Sequence, residues 1–109
     1  MGHLPQMMKG KFLDMMKNYK GAQEQFAIAH NQMMEDKKNG KHVRAFDEGN
    51  LKFRYGWALI RSEKDLDKGI EILKDADLKM TNNFDLKVKL AQILFQEKMD
   101  FKEGLKYVV

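Results

Sequence analysis

The residues able to do chemistry in this chain are few and scattered. Its three histidines, His3, His30 and His42, stand apart, with no His-x-x-x-His spacing and no carboxylate pairing that would make a metal site. As isolated imidazoles they are expected to be solvated. No Ser/His/Asp grouping, glycine-rich phosphate loop or pair of acids across a cleft can be assembled. There are no cysteines, which removes disulfides, thiolate zinc sites and cysteine nucleophiles, and suits a reducing compartment. These patterns point away from an enzyme and away from any metal or cofactor. What remains is the chemistry of contact. Aromatic, methionine and cationic side chains recur at helical spacing, as they do on surfaces that bind other proteins.

Such a surface needs helices to hold it, and the composition supplies them. The chain has 109 residues, one small domain's worth, of which 43% are hydrophobic and 33% charged. It has one proline and is rich in Lys, Glu, Leu and Met, residues that lose little side-chain freedom in a helix. An all-α fold is expected. The net charge of +4 is modest, and Lys alternates with Asp and Glu, so there is no basic stripe of the kind nucleic-acid binders carry. No run of 18 apolar residues occurs, and the N-terminus lacks the pattern of a secretory signal.

The periodicity predicts six helical segments. Residues 1–22 form a Met-rich N-terminal segment or arm, with Met8, Phe12, Met15, Met16 and Tyr19 on a stripe among lysines. Residues 23–109 form the domain proper. Its first helix, 23–38, carries Phe26, Ala29, Met33 and Met34 and stops at Lys37-Lys38-Asn39-Gly40. The next, 43–62, has two apolar stripes: Phe46, Phe53, Trp57 and Ile60 on one, Leu51, Tyr55, Ala58 and Leu59 on the other. That predicts a helix packed on both sides. Helices over 65–80, opened by Asp65, and 84–98 follow across a Thr81-Asn82-Asn83 turn. Asp100-Phe101-Lys102-Glu103 reads as a capping box opening a sixth helix. The chain stops at Tyr107-Val108-Val109 inside an apolar pattern. The expectation is a last helix cut short, with Leu105, Tyr107 and Val108 uncovered and the fragment prone to self-association.

The sequence also repeats. A shift of 35 residues lays 54–74 on 89–109 without a gap, matching Leu59 with Leu94, Asp65 with Asp100 and Gly69 with Gly104. Apolar positions keep register, Ile60 with Phe95 and Ile70 with Leu105 among them, and small Gly56 falls on small Ala91. A helix–turn–helix unit recurring at about 34 residues, with small residues at the crossings, is the tetratricopeptide pattern. Glycine inside a helix costs about 1 kcal/mol against alanine, so its recurrence at one repeat position predicts close packing. Gly56, Gly69, Ala91 and Gly104 are the expected helix-crossing residues. The expected architecture is a set of antiparallel helix pairs forming a tetratricopeptide-like right-handed superhelix, its last helix truncated.

At Phe53-Arg54-Tyr55-Gly56-Trp57-Ala58-Leu59-Ile60-Arg61-Ser62 the sequence resembles the mitochondrial fission 1 protein family. The resemblance continues through Asp67-Lys68-Gly69-Ile70-Glu71-Ile72-Leu73, resumes at Leu90-Ala91 and again over 101–108, and covers roughly residues 43–109. The chain departs from that pattern at Ile93-Leu94, where the family often has a glycine, and at an extra residue near Met99. Residues 1–22 carry no part of the likeness. The resemblance implies a non-enzymatic adaptor on the cytosolic face of the outer mitochondrial membrane, and often on peroxisomes. It would help recruit a dynamin-related GTPase, directly or through an adaptor protein, and so promote organelle fission. The family's closing helix and C-terminal membrane anchor have no counterpart in this sequence.

In a repeat of this kind the concave face is lined by the first helix of each pair. With the small residue as register, the first pair presents Asn50, Phe53, Arg54, Trp57, Ile60 and Arg61. The second presents Asp85, Val88, Lys89, Gln92, Phe95 and Gln96. An apolar floor with a cationic rim suits an amphipathic helix or extended peptide bearing acids. Trp57 is shared between core and groove by type. Arg61 has Glu63, Asp65 and Asp67 nearby as structural partners. The N-terminal stripe can be ordinary core, an autoinhibitory arm in the groove as in the family, or a membrane-surface helix, the last weakened by Asp14. Two other functions compete. One is a soluble tetratricopeptide co-chaperone clamping a client's C-terminal carboxylate, for which Asn50, Arg54 and Lys89 give a partial constellation. The other is a regulatory segment of a larger enzyme.

Overall fold

Four short polar side chains set the phase of this molecule. Asn18, Asp65, Asn83 and Asp100 each accept a hydrogen bond from the backbone N–H three residues on, at 3.0, 3.0, 3.0 and 3.1 Å. The computed structural model describes residues 4–80 and 82–108, and within them every regular element is helical. The helices are α1 (Leu4–Met15), α2 (Tyr19–Lys38), α3 (Ala45–Arg61), α4 (Leu66–Lys79), α5 (Phe84–Gln96) and α6 (Phe101–Val108). Lys37 and Lys38 close α2, and Gly40, at φ +82°, takes the left-handed turn that follows. None of the described helices is long and apolar enough to cross a membrane. Met1–His3, Thr81 and Val109 lie outside the described residues.

Sequential helices pair as hairpins, α1 with α2, α3 with α4 and α5 with α6, and α2 also lies against α3. In the central hairpin the approach is closest where neither helix has a side chain. A β-carbon on Gly56 would stand 2.9 Å from the Gly69 carbonyl oxygen and 3.0 Å from Leu73. One on Gly69 would stand 2.6 Å from Ile60. Ile60 meeting Gly69 and Gly56 meeting Leu73 makes the two helices antiparallel. In the last hairpin Gly104 lies under the Phe95 ring, 2.4 Å from a β-carbon built there. Ile60/Gly69 and Phe95/Gly104 are thus the same contact, one repeat apart. Ala91 is buried at 2% exposure.

The repeat extends to the loops. Ser62 N–H donates to the Ala58 carbonyl and Glu97 N–H to that of Ile93; Asp65 N–H donates to Leu59 and Asp100 N–H to Leu94. The one offset is the left-handed residue, Glu63 in the first loop and Met99 in the second, a place later in the unit. The two loops are equal in length, and both end on an aspartate cap, Asp65 and Asp100.

Two apolar clusters meet at α3. Leu51, Tyr55, Ala58 and Leu59 pack with Met7, Ala22, Phe26, Ala29 and Met33 from α1 and α2. Ile60, with Phe53 and Trp57 beside it, packs with α4 and with Leu86, Leu90, Ile93 and Leu94 of α5. The two stripes expected of this helix therefore serve two cores, except that Phe46 is exposed in the first turn.

Three expectations need correction. The first helix breaks at Met16–Asn18, because Asn18 caps α2, so the division drawn between residues 22 and 23 falls inside α2. The stripe Met8, Phe12, Met15 and Met16 is exposed, and α1 packs instead through Met7, Gly10 and Leu13. On α6, Leu105 and Val108 are uncovered as expected, but Tyr107 packs against the second cluster.

Candidate functional site: the face between α3 and α5

The first helices of the second and third hairpins place their outward residues side by side. Asn50, Phe53, Arg54 and Trp57 of α3 and Asp85 and Lys89 of α5 line an open hollow of about 520 Å³. Its far wall is Asp14, Met15, Lys17 and Tyr19, from the end of α1 and the start of α2, and its end is Asn83. A second hollow of about 430 Å³ continues along the same two helices, lined among others by Trp57, Ile60, Arg61, Gln92 and Gln96. Trp57 is the wall they share. It is half-buried, its inner edge packing on the second cluster. Two of the proposed groove residues line neither hollow: Val88, which stands exposed, and Phe95, which stacks on Phe101 at 5.7 Å and covers Gly104. The crossing of a short hairpin takes the ring away from the groove.

The cations gather on the rings. Lys89 Nζ lies 5.2 Å from the centre of the Trp57 indole and 2.8 Å from the Asp85 carboxylate. The Arg61 guanidinium lies 5.8 Å from the Trp57 ring and 5.4 Å from that of Tyr19. Its position is therefore over two aromatic faces, where the π-electrons attract it, and not beside Glu63, Asp65 or Asp67. Arg54 faces Asp14 at 4.0 Å, and its Nε is buried without a hydrogen-bond partner. The face is thus an aromatic floor framed by Lys89, Arg61 and Arg54, with Asp14 and Asp85 tempering the charge at one end.

A buried ionic group supports this face from behind. Glu48, 2% exposed, receives Lys37 Nζ and Lys52 Nζ at 2.8 Å each, with Lys79 at 3.8 Å, and Lys52 also reaches Asp75. The group ties α2, α3 and α4 together. Burial pushes the Glu48 carboxyl up, but hydrogen bonds and charge from Lys37 and Lys52 outweigh it and hold the pKa at about 2. Burial likewise opposes the charge on Lys52, and Asp75 and Glu48 reverse it, raising its pKa. Against this group sits His30, its ring 5.1 Å from that of Tyr55 and its Nε2 buried without a partner. Burial first, then Lys52 and Lys68, lower its pKa, so it is not the solvated imidazole its isolation suggested. The signal for Glu48 and Lys52 was present. Residues 48, 52, 55 and 59 share one helical stripe, and two charges on an apolar stripe must be paired. The α1–α2 wall had no such signal, because it depends on where the first hairpin docks.

Among the described residues no group of three His, Cys, Asp or Glu side chains is placed to hold a metal ion. Compared with protein-family models, with curated proteins and with solved structures, the chain finds no match.

Proposed function

We propose that this chain is a non-catalytic adaptor that holds a segment of a partner protein across the α3–α5 face, centred on Trp57. The observation that carries the reading is Trp57 itself, half-buried, shared by both hollows and flanked by Lys89 and Arg61. Tryptophan and arginine are enriched among the few residues that carry most of the energy of protein contacts, once a partner covers them. A ring in a cationic frame suits an amphipathic helix or extended segment carrying acids.

The finer form of the proposal follows the family resemblance. The hairpins form a tetratricopeptide-like right-handed superhelix, and the partner is a dynamin-related GTPase or its adaptor protein. The place of action is the cytosolic side of the outer mitochondrial membrane, and of peroxisomes, with attachment through a C-terminal anchor that these residues do not include. Support comes from the repeated Ile60/Gly69 and Phe95/Gly104 contacts and the repeated aspartate caps. Trp57 is the only tryptophan, so its emission reports binding directly. Titration with the GTPase or its adaptor should shift that emission and saturate, and Lys89→Glu should abolish the shift. An unchanged signal with every such partner would overturn the reading.

A second reading has one observation in its favour. Asn50, Arg54 and Lys89 line the same hollow, and Arg54 Nε is unpartnered there, as in a clamp for a C-terminal carboxylate. Peptides with a free C-terminus binding far better than their amidated forms would favour the co-chaperone-type function.

A further inference from the structure

The side of α1 turned away from the molecule has no part in the core, and of its stripe only Met15, at the C-terminal end, also borders the α3–α5 hollow. Met8, Phe12 and Met15, at i, i+4 and i+7, are 70%, 62% and 81% exposed, and Met16 follows at 64%. At about 100° per residue they form one stripe, opposite the Met7, Gly10 and Leu13 side that packs inward. On the same wheel Lys9 and Lys11 fall on the two edges of the stripe, and Lys17 and Lys20 stand exposed beyond its end. The only acid between residues 4 and 23 is Asp14, whose place on the polar face argued against a membrane helix. The structure turns Asp14 into the hollow, toward Arg54. The outward surface of α1 is therefore apolar side chains bordered by ammonium groups alone.

That charge pattern selects the occupant. A second copy meeting the stripe through the same face would bring its own lysines against these. An anionic surface neutralises them. We propose that α1 lays this stripe into the headgroup region of a bilayer containing anionic lipid, with Lys9 and Lys11 on lipid phosphates. Phenylalanine and flexible methionine side chains fit the irregular boundary between headgroups and acyl chains. Three large side chains insert shallowly, so attachment is reversible and needs the anionic lipid as well as the apolar stripe. The stripe touches the Trp57 face only at Met15, and the inference stands whether or not that face binds a partner.

The test is co-sedimentation of the intact chain with vesicles of phosphatidylcholine, alone or with about one-third phosphatidylserine. The expected result is sedimentation with the mixed vesicles, little with phosphatidylcholine alone, and release by salt. Met8→Asp with Phe12→Asp should abolish it, and Lys9→Glu with Lys11→Glu should weaken it by about tenfold or more. All four positions lie outside the apolar clusters, and circular dichroism should show unchanged helicity and melting. Leu105→Asp, on the exposed side of α6, should leave binding intact. Failure to bind the mixed vesicles, equal loss with Leu105→Asp, or binding indifferent to the α1 changes would overturn the proposal. So would a concentration-dependent dimer that is lost with Phe12→Asp in a chain that ignores vesicles; that result assigns the stripe to a second copy.

Discussion

The carbonyl oxygens of Gly56 and Gly69 each lie 2.9 Å from where a β-carbon on the other residue would stand. The contact is reciprocal and made by backbone, which cannot swing aside as a side chain can. Gly69→Ala should therefore destabilise by about 1–3 kcal/mol despite alanine's better helix propensity, and Gly69→Leu should abolish a cooperative melt. Gly49 is the comparison. A β-carbon there would press on Met80 at its Cγ and on Lys79, side chains and not backbone, and the flexible methionine has torsions with which to yield part of the way. Gly49→Ala should lower the melting temperature less than Gly69→Ala. Equal losses in thermal denaturation would contradict the crossing geometry.

The Glu48 group should make acid denaturation begin early. The carboxyl has a folded pKa of about 2, below its ordinary unfolded value near 4.3. Its contribution, about 3 kcal/mol, is then complete above the unfolded value and lost as pH falls through about 4 toward 2. Glu48→Gln should cost a similar amount at neutral pH, since it leaves Lys37 and Lys52 without their carboxylate. Urea denaturation at neutral pH and near pH 3 checks both: the wild-type midpoint should fall with pH, and the variant's should change much less.

His30 acts in a separate window. Its folded pKa is lowered, first by burial and then by Lys52 and Lys68, with Glu48 and Asp75 opposing. The unfolded chain therefore takes up the proton more readily, and stability declines as pH falls below the unfolded value of about 6.5. His30→Phe keeps a ring against Tyr55 and removes the unpartnered Nε2. It should be neutral or stabilising, and should flatten the dependence of melting temperature on pH between about 7 and 5.

Arg61→Glu separates binding from folding. The side chain is exposed and touches the molecule through the Tyr19 and Trp57 rings. Such contacts are worth about 0.5–1 kcal/mol at exposed sites, so the melting temperature should move by a few degrees at most. If the proposed function holds, capture of a dynamin-related GTPase or its adaptor should fall by about tenfold or more as a cationic border becomes anionic. Undiminished capture in a pull-down would remove Arg61 from the binding face.

Much of the fold was legible because local rules and packing agree. Asp65, Asp100 and Asn83 stand just before their apolar patterns, and the structure uses each as a cap. The two stripes of α3 divide between two cores, since a helix apolar on both sides can be satisfied only between two partners. Which side of α1 packs is not legible for a related reason. Met7, Met8, Phe12, Leu13 and Met15 offer two apolar faces, and spacing cannot say which will meet α2. Gly10 decides it, because the Phe26 ring fits only over a residue without a side chain. Of the α3–α5 face, the helical register placed Asn50, Phe53, Arg54, Trp57 and Lys89 around one hollow. Phe95 was misplaced because its own hairpin competes for it.

The double duty of α3 governs how the molecule comes apart. Of the six described helices it alone supplies buried apolar residues to both clusters, with α4 reaching the first only through the partly buried Ile72. An end hairpin can loosen and leave its neighbour anchored, much as a terminal unit frays in a linear array. Disruption of α3 dissolves both cores together. The two cores of a chain assembled from short local hairpins are therefore tied to one central helix, while its end hairpins remain the first parts to fray.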